Sequence, residues 1–227
     1  MSRSGYFQMS AINRRGLATA LFGAGFVARV RRTDAQAREL LTAALDIAQA
    51  VQDRYIVGAS LHHLALLELG TGGDRSTTRR LLQHSLTTYR EMGFPRMIGV
   101  VLATLGGLER ADGCPVAAQR CFTESLEVLS AAGEPREVHF PLEGLADLAY
   151  DDGQVKLALT LASAATTYRA SLRGRAVGPG LVGSCTWLDA THGMLDPRQY
   201  AETWDAGEAL VPLEAIAVGV RFERRAN

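Results

Sequence analysis

An excess of charge of either sign is the first thing this chain lacks. Lys plus Arg and Asp plus Glu each total 24, so the formal net charge is zero. No global field draws it to nucleic acid or to an anionic membrane. Cysteine is scarce as well. Cys114, Cys121 and Cys185 are the three in 227 residues, a count that argues against a disulfide framework and for a reducing compartment. No apolar run approaches the roughly 20 residues needed to span a bilayer. No Gly-x-x-x-x-Gly-Lys-Ser/Thr occurs, so the phosphate loop of an ATPase is missing. No Cys-x-x-Cys complements Cys114 and Cys121 toward the four ligands of a zinc site.

The N-terminal stretch "NRRGLATALFGAGFVARVRR" raises two possibilities, and both fail. Twin arginines before a short apolar run resemble an export signal, but Arg29, Arg31 and Arg32 follow the run at once. A cytoplasmic location is therefore expected. Gly23-x-Gly25-x-x-Ala28 has the spacing of a dinucleotide-binding turn. That turn needs a strand before it and an acid about 20 residues on, closing a second strand. The acid at that distance, Asp46, sits inside the strongest helical pattern in the chain. No cofactor is expected.

What is present is a repeat. "LHHLALLELGTG" from Leu61, "LATLGGLERADG" from Leu102 and "LEGLADLAYDDG" from Leu142 align without a gap. Leucine recurs at the first, fourth and seventh places, which puts one stripe on one helical face. Gly72, Gly113 and Gly153 close the three segments and suit the left-handed residue that ends a helix. A second helix follows each, with Leu82, Phe122 and Ala162 in corresponding places, as are Ser85, Ser125 and Ala165. The period is about 40 residues, two helices per unit, which reads as an α-solenoid. Extended backwards, the register makes "ARELLTAALDIAQA" a second helix, with Thr33 and Gln36 as its capping box. The Gly23–Ala28 stretch becomes the first helix of unit one.

The unit pattern, carried best by Leu105-Gly106, Ala118 and Phe122, resembles the tetratricopeptide repeat. The C-terminal third, through Tyr200, Trp204, Gly207, Ala209-Leu210 and Leu213-Glu214-Ala215, resembles the end of the helical region in actinobacterial ATPase-type transcriptional regulators, LuxR-type and related. The resemblance implies an all-α fold: a right-handed α-solenoid of about four helix pairs, at 11–51, 54–92, 96–131 and 136–171, plus short C-terminal helices. The expected domains are a flexible N-terminus over 1–10, the array over 11–173, a Gly/Pro loop over 174–184 and a helical cap over 185–227. It also implies a sensor or interaction module without the family's ATPase and DNA-reading domains. The chain ends at "RFERRAN", where a LuxR-type member would continue into a helix-turn-helix.

Constellations for chemistry are thin. "GSCTW" at 183–187 resembles the nucleophile neighbourhood of papain-like proteases, yet only 42 residues follow Cys185 and the required histidine and asparagine lie much further downstream in that family. It reads instead as a small residue and an aromatic packing into a helix start. His62 and His63 are adjacent on a helix, about 100° apart, and cannot both chelate one ion. Glu143 and Asp147, with Asp151 next in the row, read as a solvated acidic face rather than an acid–base pair.

The binding expectation follows from solenoid geometry. First helices line the concave face, and positions off the leucine stripe have no structural duty. His62, Arg110, Glu143, Asp147 and Tyr150 occupy such positions and make a mixed-charge groove for an extended peptide or helix. Such a groove is also open to filling by the chain's own C-terminal helices. The favoured function is a non-catalytic protein–protein interaction module, with a protein or peptide partner such as a separately encoded ATPase or regulator, and without nucleic-acid or membrane contact. The alternative is an effector-binding sensor with a small-molecule pocket around Trp187 and Trp204.

Overall fold

The computed structural model describes residues 11–133, 137–171 and 185–223. The expected flexible segment 1–10 and the Gly/Pro loop 174–184 lie outside the described residues. All regular structure among the described residues is helical. The helices are α1 (Ala11–Val30), α2 (Asp34–Ala50), α3 (Arg54–Thr71), α4 (Arg75–Met92), α5 (Pro95–Ala111), α6 (Pro115–Ala131), α7 (His139–Asp151) and α8 (Val155–Ser171). Three shorter ones follow: α9 (Leu188–Thr191), α10 (Pro197–Glu208) and α11 (Pro212–Val220). The helices pack as consecutive pairs, so the fold class is the expected one. None of the described helices is long and apolar enough to cross a membrane.

The chain divides into two compact units, Met1–Phe94 and Pro95–Asn227. The division falls where Gly93, at φ 61°, ends α4 and Pro95 opens α5. Helix stops are built as the sequence implies. Gly72, Gly113 and Gly153 have φ of 69°, 73° and 71°, a left-handed backbone that costs glycine nothing. Starts are capped by Asp53 and Asp74, whose carboxylates accept the backbone N–H groups of Ile56 and Thr77 at 3.2 and 2.7 Å. Pro115 fills the first turn of α6. The expected Thr33 capping box is not formed. The Thr33 hydroxyl instead donates to the Ala28 carbonyl at 3.0 Å, closing the end of α1 after Arg32 turns the chain at φ 60°.

Both units use one device to bring paired helices together. Ser85 donates to the Gly58 carbonyl at 2.8 Å, and Ser125 to the Gly99 carbonyl at 2.7 Å. The glycines leave room for Tyr89 and Leu129: a Cβ at Gly58 would lie 2.8 Å from Tyr89 Cζ, and one at Gly99 2.5 Å from Leu129 Cγ. Close helix approach is thus fixed by a missing side chain and by a hydroxyl that satisfies the carbonyl it exposes.

The C-terminal unit has the larger described core. Phe122, fully buried, lies between Gly106 of α5 and Gly144 of α7; a Cβ at Gly144 would meet its ring at 2.2 Å. Every residue of α7 from Pro141 to Ala149 is buried. The reason is that α7 is covered on several sides, by α5, α6, α8 and α11. The late helices are fastened by backbone carbonyls. Ser163 donates to Trp204 O at 2.7 Å, Tyr168 to Leu210 O at 3.0 Å and Gln119 to Phe222 O at 2.7 Å.

Candidate functional site

Glu143 and Asp147 stand one turn apart on α7 and so share a face. They are not solvated: Glu143 is 2 % exposed and Asp147 3 %. Their charges are met from three directions. Arg110, in the last turn of α5, places Nη1 3.3 Å from Asp147 Oδ2 and makes a two-point contact with Asp151 at 2.8 and 3.2 Å. Arg169 of α8 pairs with Glu143. The third direction is the segment Cys185–Trp187, which crosses this face of α7. Asp147 Oδ1 accepts the backbone N–H of Cys185 at 2.8 Å and the indole N–H of Trp187 at 2.7 Å. The Trp187 ring stacks on Tyr150, centroids 4.6 Å apart and planes 8° from parallel.

The electrostatics follow from this burial. Loss of water pushes the Asp147 carboxyl above its ordinary range, and the Cys185 N–H, Arg110 and the indole N–H only partly offset that. Burial pulls the Arg110 guanidinium downward, but Asp151 and Asp147 more than reverse it. The Cys185 thiol is pushed up to about 12 by burial and by the Asp147 charge. A thiol held there is a poor nucleophile at neutral pH. Cys185–Trp187 is therefore a packing element: Trp187 is 7 % exposed and α9 starts directly after it.

Of the five residues expected to line one groove, four come together here: Arg110, Glu143, Asp147 and Tyr150. Two of these four are buried, and the off-stripe positions do carry structural duty, since Arg110 neutralises Asp147 and Asp151. The expectation of a solvated acidic face is corrected for Glu143 and Asp147, while Asp151 is exposed. The physical reason is the covering segment about 40 residues further along the chain, which no single-helix periodicity reports.

His62 belongs to the N-terminal unit and is 3 % exposed on α3. Its ring lies 5.5 Å from that of His63, which Phe22 and Phe26 meet edge-on and to which Arg29 donates at 3.2 Å. Burial, then the Arg29 charge, pushes His62 down to about 4, so it is a neutral core side chain. Trp204 stacks on Tyr200 and donates to Glu208 at 2.9 Å. The three cysteines are free. No group of three or more metal-ligating side chains comes together among the described residues.

Sequence reasoning missed Arg169, the partner of Glu143, and the role of Cys185–Trp187 as the cover of α7. The available signal was the apolar run that surrounds the two carboxylates. Two acids on one face of a helix as apolar as α7 require donors from elsewhere in the chain. No protein-family model matches the chain, and no curated protein matches it.

Proposed function

We propose that the chain is a non-catalytic protein–protein interaction module of a regulatory or signalling system, tetratricopeptide-like in its repeat and working in the cytoplasm beside a separately encoded ATPase or regulator. One observation carries this reading. The α7 face bearing Asp147 and Tyr150 holds a short segment through two N–H donors on one carboxylate oxygen and one aromatic stack. That is how a helical scaffold grips a peptide: a few polar anchors and one large ring. The same face has little to offer acid–base or nucleophilic chemistry. Both Asp147 oxygens are engaged, and the neighbouring thiol is held protonated.

The sensor reading is weaker. It needs a ligand around Trp187 and Trp204, and both indoles are occupied by the chain's own Tyr150, Asp147, Tyr200 and Glu208.

The test uses the full-length protein as bait, with each recovered protein then purified and titrated calorimetrically. Saturable binding by at least one, weakened tenfold or more by Tyr150→Ala, is the expected result. Absence of any saturable partner, or affinity indifferent to Tyr150→Ala and Arg110→Gln alike, would overturn the reading.

A further inference from the structure

We infer that Cys185–Trp187 is a built-in competitor for the α7 face, and that the partner it competes with presents a turn bearing a tryptophan with a free backbone N–H two residues before it. This rests on the interaction-module reading and names the partner's chemistry.

Asp147 Oδ1 takes one backbone N–H and one indole N–H, at 2.8 and 2.7 Å. A carboxylate oxygen has two lone pairs, and those two donors occupy both. Tyr150 supplies a flat platform for a flat ring, at an interplanar angle of 8°. Phenylalanine satisfies the platform and not the carboxylate, and arginine satisfies the carboxylate with a smaller stacking surface. Tryptophan satisfies both. Arg110, 30 % exposed at its side chain, stands at the edge of the face with Nη1 3.3 Å from Asp147 Oδ2.

The chain's own segment occupies this face at a cost. Cys185 has φ of 54°, a left-handed conformation uncommon for a residue with a Cβ. The late helices also have hydrogen-bonded fastenings of their own. Ser163–Trp204, Tyr168–Leu210 and Gln119–Phe222 anchor α10 and the end of α11 to α6 and α8 without involving residues 185–187. Nine residues separate Trp187 from Pro197, where α10 begins. These three hydrogen bonds would still hold the cap if the segment left the face. Tethering raises its effective concentration, so a free partner must outcompete it or bring further contacts.

The experiment uses a labelled peptide of sequence Cys185–Thr191 carrying C185S, and the same peptide with W187A in addition. Each is titrated by fluorescence anisotropy into full-length Trp187→Ala protein and into wild type. The Trp peptide is expected to bind the Trp187→Ala protein saturably, at least tenfold tighter than the Trp-less peptide does and tenfold tighter than it binds wild type. Equal binding of the two peptides, or none, overturns the inference. A second measurement protects against misfolding of that variant. In full-length Cys114→Ser/Cys121→Ser protein, maleimide labelling of Cys185 should accelerate as the Trp peptide is raised to saturation and not with the Trp-less one. A rate indifferent to the Trp peptide overturns the inference on an intact Trp187. A wild-type dimer that disappears in Trp187→Ala would assign the face to the same segment of a second copy and overturn the partner assignment. If the peptide fails while a purified partner still binds wild type saturably, the competitor idea falls and the module stands. If no partner binds wild type, the module reading itself has failed.

Discussion

The indole N–H of Trp187 donates to Asp147 Oδ1 at 2.7 Å across 40 residues of sequence, and the acceptor is an almost wholly buried carboxylate. This bond separates two substitutions that burial alone would rank together. Trp187→Phe keeps an aromatic ring over Tyr150 and deletes one donor to a charged acceptor. It should lower stability by about 1.5–3 kcal/mol. Trp187→Ala removes the stack as well and should cost about 3–5 kcal/mol. Urea midpoints with unchanged slopes provide the check, and equal losses for the two variants would mean the hydrogen bond contributes nothing.

Phe122 and Gly144 give a coupled prediction. Phe122→Ala should cost about 3–5 kcal/mol by emptying a fully buried site. Gly144→Ala should also destabilise, because its Cβ would sit 2.2 Å from Phe122 Cζ. Combining Gly144→Ala with Phe122→Leu should then cost less than the sum of the singles, with a coupling of about 0.5–3 kcal/mol. Strict additivity would mean that the ring does not rest on α7.

Arg110→Glu should not behave as a surface change. It would set a third acid against Asp147 and Asp151 and leave the buried Asp147 without its cation. Because Arg110 is partly exposed, the loss should fall somewhat below the about 3–5 kcal/mol of a fully buried pair. It should still exceed the about 0.5 kcal/mol typical of surface substitutions. Adding Asp147→Asn should recover part of it. Thermal or urea midpoints within error of wild type for Arg110→Glu would contradict the ion-pair geometry.

Two buried groups give pH dependences of opposite sign. His62 is pushed down to about 4 from 6.5, so the unfolded chain takes up a proton that the folded protein refuses. Its contribution is whole above 6.5 and is lost as pH falls toward 4, at up to about 1.4 kcal/mol per unit. His62→Gln should flatten that slope, with a residue left from His63, which is also pushed down. Asp147 is raised from 3.8, so its contribution is whole below 3.8 and is lost as pH rises through the folded value. Asp147→Asn should remove that fall. Stability followed by urea denaturation from pH 4 to 7 separates the two.

The parts of this fold legible in the sequence are those set by local periodicity. Leu61, Leu102 and Leu142 mark equivalent first helices because burial repeats along one helical face, and Gly72, Gly113 and Gly153 stop them because only a left-handed residue fits there. Gly106 and Phe122 were legible as positions of the repeat pattern, and the structure brings them together: a Cβ at Gly106 would lie 2.6 Å from Phe122 Cε1. The site was legible as a set of residues and not as an environment. Arg110, Glu143, Asp147 and Tyr150 do gather, but whether an acid on a helix meets water depends on what lies over it. The cover, Cys185–Trp187, follows a Gly-rich stretch with no periodicity to place it. The Thr33 hydroxyl misled for a related reason: it had two acceptable partners, and the turn at Arg32 decided between them.

The most direct measurement of the interaction account is amide hydrogen exchange of the full-length protein with and without a purified, saturating partner. The account predicts new protection in the C-terminal half of α5 and along α7 from Glu143 to Tyr150, together with faster exchange over 185–191 as that segment is displaced. Protection confined to α10 and α11, with α5, α7 and 185–191 unchanged, would contradict it.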